Sequence, residues 1–126
     1  MDVQLKRGFV EMCVLASMVK EETYGYKLIK DVSDYITVSE STLYPILRRL
    51  ESAGCVSVRT AEYNGRLRKY YSITSKGKEK LGDFLEEFKD VMRVYKYIEG
   101  EYLYDKNWFF EWARKKVKRF IKRRNI

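Results

Sequence analysis

Two clusters of side chains in this sequence have types and spacing suited to gripping a polyanion. Ser41, Thr42, Tyr44, Arg48 and Arg49, read at helical spacing, share the side opposite Leu43, Ile46, Leu47 and Leu50. Hydroxyls near a helix N-terminus suit phosphate oxygens and base edges, and an arginine can hold guanine through two parallel hydrogen bonds. The second cluster, Arg66, Arg68 and Lys69, follows the dipeptide Asn64-Gly65 and suits phosphates beside a groove. Lys6 and Lys27 could add contacts from earlier segments. Taken one at a time, these residues are better read as a solvated helix face and a charged hairpin tip that keeps an edge strand from pairing. Their joint placement on one side of a domain favours the binding reading.

Enzyme chemistry is poorly supplied. The 126 residues include no histidine, which removes the commonest general base and the commonest metal ligand. No Gly-rich phosphate loop or nucleophile elbow is present. Cys13 and Cys55 lie among apolar neighbours and are not spaced as metal ligands, so buried thiols in a reducing compartment are expected. No enzyme, metal or cofactor is expected. The first residues lack the basic start, apolar block and cleavage site of a secretory signal, and no apolar run approaches a membrane span. A cytoplasmic setting follows as the expectation.

The net charge of +8 is unevenly placed. Of the 26 basic residues, eight lie between Ala113 and Ile126, where there is no acid, and the remaining 18 match the 18 acids. Residues 1–112 are therefore neutral overall. Any binding surface there must rest on where charges sit and not on their sum.

Positioning these clusters takes four helices, a hairpin and a tail. A first helix is expected from about Leu5 to Val19, with Leu5, Phe9, Met12, Cys13, Ala16 and Val19 as its apolar stripe. Thr23 is a candidate N-cap for a second helix to about Tyr35, whose apolar face is Leu28, Ile29, Val32 and Ile36. Ser39 or Ser41 can cap a third, ending at Gly54 in the left-handed conformation. With Ser41 as the cap, Pro45 falls at the edge of the first turn, where its missing N–H is harmless. Val56–Tyr63 and Arg66–Ile73 are β-prone, and Asn64-Gly65 between them marks a type I′ hairpin. Thr74 or Ser75 then caps a long fourth helix. In it Leu81, Phe84, Phe88, Val91, Tyr95, Ile98 and Tyr102 form a heptad seam interrupted at Gly100, and its length favours pairing with a second copy of the chain. The tail, Asn107 to Ile126, reads as a basic amphipathic helix with Phe109, Trp112, Ala113, Val117, Phe120 and Ile121 on one face. The region around Gly100 and Asp105 is the candidate joint.

The expected fold is mainly α with a small β-hairpin. It comprises a winged helix-turn-helix over residues 1–75, a dimerisation helix over 76–104 and a basic amphipathic C-terminal segment over 105–126. In such a domain the third helix enters the major groove and the hairpin follows the adjacent backbone.

The chain resembles the PadR-like transcriptional regulators. The resemblance is carried by Tyr24-Gly25-Tyr26, by the run Ser41 to Glu51 (STLYPILRRLE) with Gly54, and by Arg68 to Thr74 (RKYYSIT) with Gly77, and it covers about Leu5 to Tyr95. It implies a dimeric repressor whose fourth helix mediates dimerisation and whose small-molecule or stress signal is read near the dimer interface. It also implies packing roles for Tyr26 and Tyr71, and leaves Tyr24 and Tyr44 between packing and phosphate contact. The tail departs from the family pattern. Three readings stay open for it: folding back on the dimer with its cations in solvent or on DNA, lying on an anionic membrane, or binding an acidic partner or effector with Trp108 or Trp112 as a stacking platform. The partners expected are double-stranded DNA at a pseudo-palindromic operator, a second copy of the chain and a small-molecule effector. A winged-helix module used for protein or membrane docking through the tail is the alternative.

Overall fold

The computed structural model describes residues 1–124, apart from the side chains of Lys106, Phe120, Lys122, Arg123 and Arg124. The tail residues Asn125 and Ile126, and Phe120 on the tail's expected apolar face, thus lie outside the described residues. The elements run α1 (Val3–Ser17), β1 (Thr23–Tyr24), α2 (Gly25–Ser33), α3 (Glu40–Ser52), β2 (Val56–Tyr63), β3 (Arg66–Ile73), α4 (Ser75–Tyr104) and α5 (Lys106–Arg124). The strands form one antiparallel sheet in the order β1-β3-β2. The helix borders fall near the expected ones at 75 and 105. Packing separates the chain elsewhere, into one unit from Met1 to Leu85 and a second from Glu86 on.

Local chemistry sets most borders. Asp2 caps α1 by accepting from the backbone N–H of Gln4 and Leu5, so the helix starts before the expected Leu5. Helix α3 ends in a Schellman motif: Gly54 adopts φ +77°, its N–H donates to Glu51, and the Cys55 N–H donates to Leu50. Asn64 and Gly65 have φ of 51° and 77°, the pair of positive values that a type I′ turn requires. The hairpin register follows from it, Tyr63 opposite Arg66 through Val56 opposite Ile73. The Thr74 hydroxyl accepts from the Gly77 N–H at 3.1 Å and donates to the Gly54 carbonyl at 2.6 Å. One side chain thus caps α4 and ties it to the end of α3. A Cβ at Gly77 would overlap the Cys55 carbonyl oxygen and crowd Ile73, so α4 can approach the base of the hairpin this closely only with glycine there.

The core lies wholly in the first unit. Leu28 and Val32 of α2, Leu43, Ile46, Leu47 and Leu50 of α3, Cys55 just before the hairpin, and Val56 and Tyr71 within it are buried together with residues of α1. The expected inward face of α3 is found as read.

Several expectations need correction. Helix α1 buries Val10, Val14, Leu15 and Met18, while Leu5, Ala16 and Val19 of the expected stripe are exposed. This helix is apolar on two sides, and the expected stripe runs along the edge of the packed one: Met12 is buried, Phe9 and Cys13 are half-buried, and Cys13 packs against the core. Thr23 does not cap α2. It pairs with Tyr71 as a strand residue, its hydroxyl is buried, and among the described residues that hydroxyl has no hydrogen-bond partner. Ser39, not Ser41, holds the cap position of α3. Pro45 therefore lies inside the helix, where it removes the N–H that would reach Ser41; both residues are exposed, so water can satisfy the freed carbonyl. Gly100 does not interrupt α4, which continues to Tyr104. Asp105 caps α5 by accepting from the Trp108 N–H.

Candidate nucleic-acid interface

Helix α3 presents two flanks on its exposed side. Toward the hairpin lie Tyr44, Arg48 and Glu51. A cleft of about 520 Å³ opens there between the start of α2, Tyr44, and Leu67, Arg68 and Lys69 of β3. The Tyr44 hydroxyl reaches Gly25 so closely that a Cβ there would lie 2.5 Å from it. Buried Tyr71 forms the floor. Burial raises its phenol pKa, neighbouring Tyr44 and Glu51 raise it further, and Arg48 opposes them. The other flank carries Thr42, Pro45 and Arg49 and faces the start of α1. At the tip of the helix the Ser39 hydroxyl lies 3.0 Å from that of Ser41 and 3.1 Å from that of Thr42. Ser41, Thr42, Tyr44, Arg48 and Arg49 are thus all exposed on one side of one helix, as read from the sequence.

The hairpin residues divide. Arg66 and Lys69 are exposed at and near the tip. Arg68 is half-buried in an aromatic cage, its guanidinium 3.7 Å from the centre of the Tyr24 ring, 3.9 Å from Tyr63 and 4.9 Å from Tyr70. Its Nε donates to the Tyr70 hydroxyl at 3.0 Å. Next along the same sheet face, Arg59 stacks 4.4 Å from the Tyr70 ring and forms an ion pair with Glu22. Cations and rings alternate across all three strands, and each partly desolvated contact contributes on the order of 1 kcal/mol. Arg68 therefore fastens β1 to the hairpin and sets the direction of the wing; Tyr24 is held in that cage.

Two expected residues sit differently. The Lys27 ammonium is 2.8 Å from Glu21, which raises its pKa, and it borders a groove lined by α1 and α2 and not by α3 or the hairpin. Tyr26 is not packed inside: it is 75% exposed, because two helical residues before buried Leu28 is the opposite face of α2. It lines the cleft beside Lys69 and is a contact candidate that the sequence reading missed. Tyr63, Tyr70 and Arg59 were also missed, although the Asn-Gly turn fixes the register that sets Arg59 opposite Tyr70.

Charge pairing sorts the cations. Lys27, Arg59 and Lys80 hold Glu21, Glu22 and Glu11. Among the described residues none of Arg48, Arg49, Arg66 or Lys69 is ion-paired. These four cations stand where α3 and the wing are exposed.

The seam of α4 is split. Leu81 and Phe84 pack against the core of their own unit, with the Phe84 ring edge-on to Phe9 at 5.7 Å, and so are not free for a partner. Phe88 is half-buried, whereas Val91, Tyr95 and Ile98 are 51%, 53% and 58% exposed. The Tyr95 hydroxyl donates to Glu99, which raises its pKa. In α5, Trp112 stacks on Phe109 and meets Tyr102 edge-on, with the Lys116 ammonium 5.9 Å from its ring; Trp108 stands exposed. Phe110, Val117 and Ile121 are exposed as well. Among the described residues no helix is long and apolar enough to cross a membrane.

Known proteins resemble this chain in sequence and in fold. Residues 14–83 match the model of the transcriptional regulator PadR-like family. The transcriptional regulator Rv3488 of Mycobacterium tuberculosis is 29% identical over 91 residues, covering 71% of this chain and 85% of that one. A PadR-like transcriptional regulator from Bacillus cereus superposes with a TM-score of 0.67 at 32% identity, covering 75% of this chain and 95% of its own. Bacillus subtilis PadR, solved in complex with operator DNA, superposes with a TM-score of 0.57 at 26% identity, over 61% of this chain and 46% of that one. Fold and sequence converge, and the chain belongs to the PadR-like family of transcriptional regulators.

Proposed function

We propose that this chain is a sequence-specific DNA-binding repressor that works in the cytoplasm as a homodimer. Helix α3 enters the major groove, with Arg48 and Arg49 reading base edges and Ser41, Thr42 and Tyr44 contacting backbone or bases. Arg66 and Lys69 follow the flanking phosphates, joined by Tyr26 from α2. The observation that carries this reading is the set of exposed cations Arg48, Arg49, Arg66 and Lys69 on α3 and the wing, none of which is ion-paired among the described residues. The operator complex of Bacillus subtilis PadR supports it.

The homodimer rests on Val91, Tyr95 and Ile98, an apolar row on α4 that one chain leaves in solvent. Phe88 borders that row. An effector read near that interface, and contact with it by Trp108 or Trp112, belong to the same proposal. The cations of α5 add sequence-independent attraction to the phosphate backbone.

Selection of bound duplexes from a random pool tests the reading. The expected result is an inverted repeat with half-sites about one helical turn or more apart. Enrichment of no common sequence would overturn it. The second reading, docking on a protein or an anionic membrane through α5, is favoured by one feature: Phe110, Val117 and Ile121 are exposed on a helix rich in cations. Removing residues 107–126 separates the two. Sequence preference that survives the deletion supports the repressor, and loss of all DNA binding supports docking.

A further inference from the structure

The flank of α3 that faces away from the wing borders a cleft with its own chemistry. This cleft, about 770 Å³, opens between the start of α1 and the first turns of α3. Its floor is aliphatic, formed by buried Val10 and Ile46 with Val3, Val38 and Pro45 around them. Among the described residues no aromatic ring and no carboxylate lines it. Lys6 and Arg7 from α1 and Arg49 from α3 stand at its walls, and among the described residues none of the three is ion-paired. The hydroxyls of Ser39 and Thr42 complete the polar side. The volume is that of a small-molecule site, with an apolar body region and a few convergent polar groups.

We infer that this cleft binds a medium-chain aliphatic carboxylate, its chain on Val10, Val38 and Ile46 and its head group between Arg7, Lys6 and Arg49. Three cations lining one cleft without a carboxylate select an anion, and a guanidinium can grip a carboxylate with two hydrogen bonds. A floor of branched side chains without rings suits an alkyl body and offers nothing for an aromatic one to stack on. Arg49 and Thr42 face both this cleft and the exposed side of α3. A ligand seated here therefore competes with DNA for them, a consequence that rests on the DNA-binding reading proposed above. The coupling is reciprocal: the factor by which ligand weakens DNA binding equals the factor by which DNA weakens ligand binding.

Calorimetric titration of the full chain with octanoate, and with octanol as the neutral control, tests the site without DNA. Saturable octanoate binding that falls about tenfold or more in Arg7→Ala and in Arg49→Ala is expected, the size for loss of one charge-assisted hydrogen bond. Octanol binding as tight as octanoate, or octanoate binding untouched by both substitutions, would overturn the site. A second titration measures affinity for a selected duplex with and without saturating octanoate. Weakened DNA binding in the wild type that is relieved in Arg7→Ala supports competition; unchanged DNA binding overturns competition while leaving the site standing. Failure to bind any duplex sinks the repressor reading, and the calorimetric result on the free protein still decides the cleft.

Discussion

Between Met1 and Leu85 the apolar side chains close into a buried core; among the described residues from Glu86 on, none is buried. Every buried apolar side chain among the described residues lies in the first unit, on or beside α1, α2, α3 and the hairpin. The second unit has comparable apolar content, yet Val91, Tyr95, Ile98, Phe110, Val117 and Ile121 are exposed. The first unit can be stabilised by its own core, whereas the apolar rows of the second gain burial only against another surface. One helix shows both behaviours: α4 puts Leu81 and Phe84 on the core and leaves Val91, two turns further on, in solvent.

Substitutions should separate the two regions. The largest effect is expected from Leu50→Ala, which empties a fully buried position in the first unit. It should lower the unfolding free energy by about 2–5 kcal/mol in a denaturant titration. A loss under about 0.5 kcal/mol would mean that this core does not hold the unit. Next comes the pair Val91→Asp and Ile98→Asp in the second unit. Sedimentation velocity should move from dimer to monomer, and the apparent Tm should lose its dependence on protein concentration. A dimer that persists places the interface elsewhere. The smallest effect has the opposite sign. Thr23→Val replaces a buried hydroxyl that lacks a partner with a methyl of similar size, and should stabilise by about 1 kcal/mol. Destabilisation would show that the hydroxyl is hydrogen-bonded in solution.

How far the sequence could be read follows the same division between local and distant causes. The Asn64-Gly65 turn, the strands on either side, Gly54 and the inward face of α3 depend on residues close in the chain, and all were legible. Strand β1 was not. Two residues form a strand only because β3 lies beside them, and that pairing joins Thr23 to Tyr71. The stripe of α1 was read only in part, Met12, Phe9 and Cys13 packing while Leu5, Ala16 and Val19 do not, because the helix is apolar on both sides and nothing local says which side the core will take. Lys27 looked free until the turn before α2 brought Glu21 to it. Arg68 was legible as a cation near the wing tip, but its cage needs Tyr24 from β1 and Tyr63 from β2. The heptad spacing in α4 was correct as periodicity, yet spacing cannot tell which turns meet their own core. Arg48 and Arg49 were found because a helix face is local; what they touch is not.

The central claim is that the exposed arginines of α3 read DNA. The most direct measurement is the affinity of Arg48→Ala, Arg49→Ala and the double variant for a duplex selected by the wild-type chain, with molecular mass followed in parallel. Each single change is expected to cost about 1–3 kcal/mol and to relax base preference at one position per half-site. A scrambled duplex should lose less, and the mass should not change. Wild-type affinity and base preference in the double variant would contradict the claim.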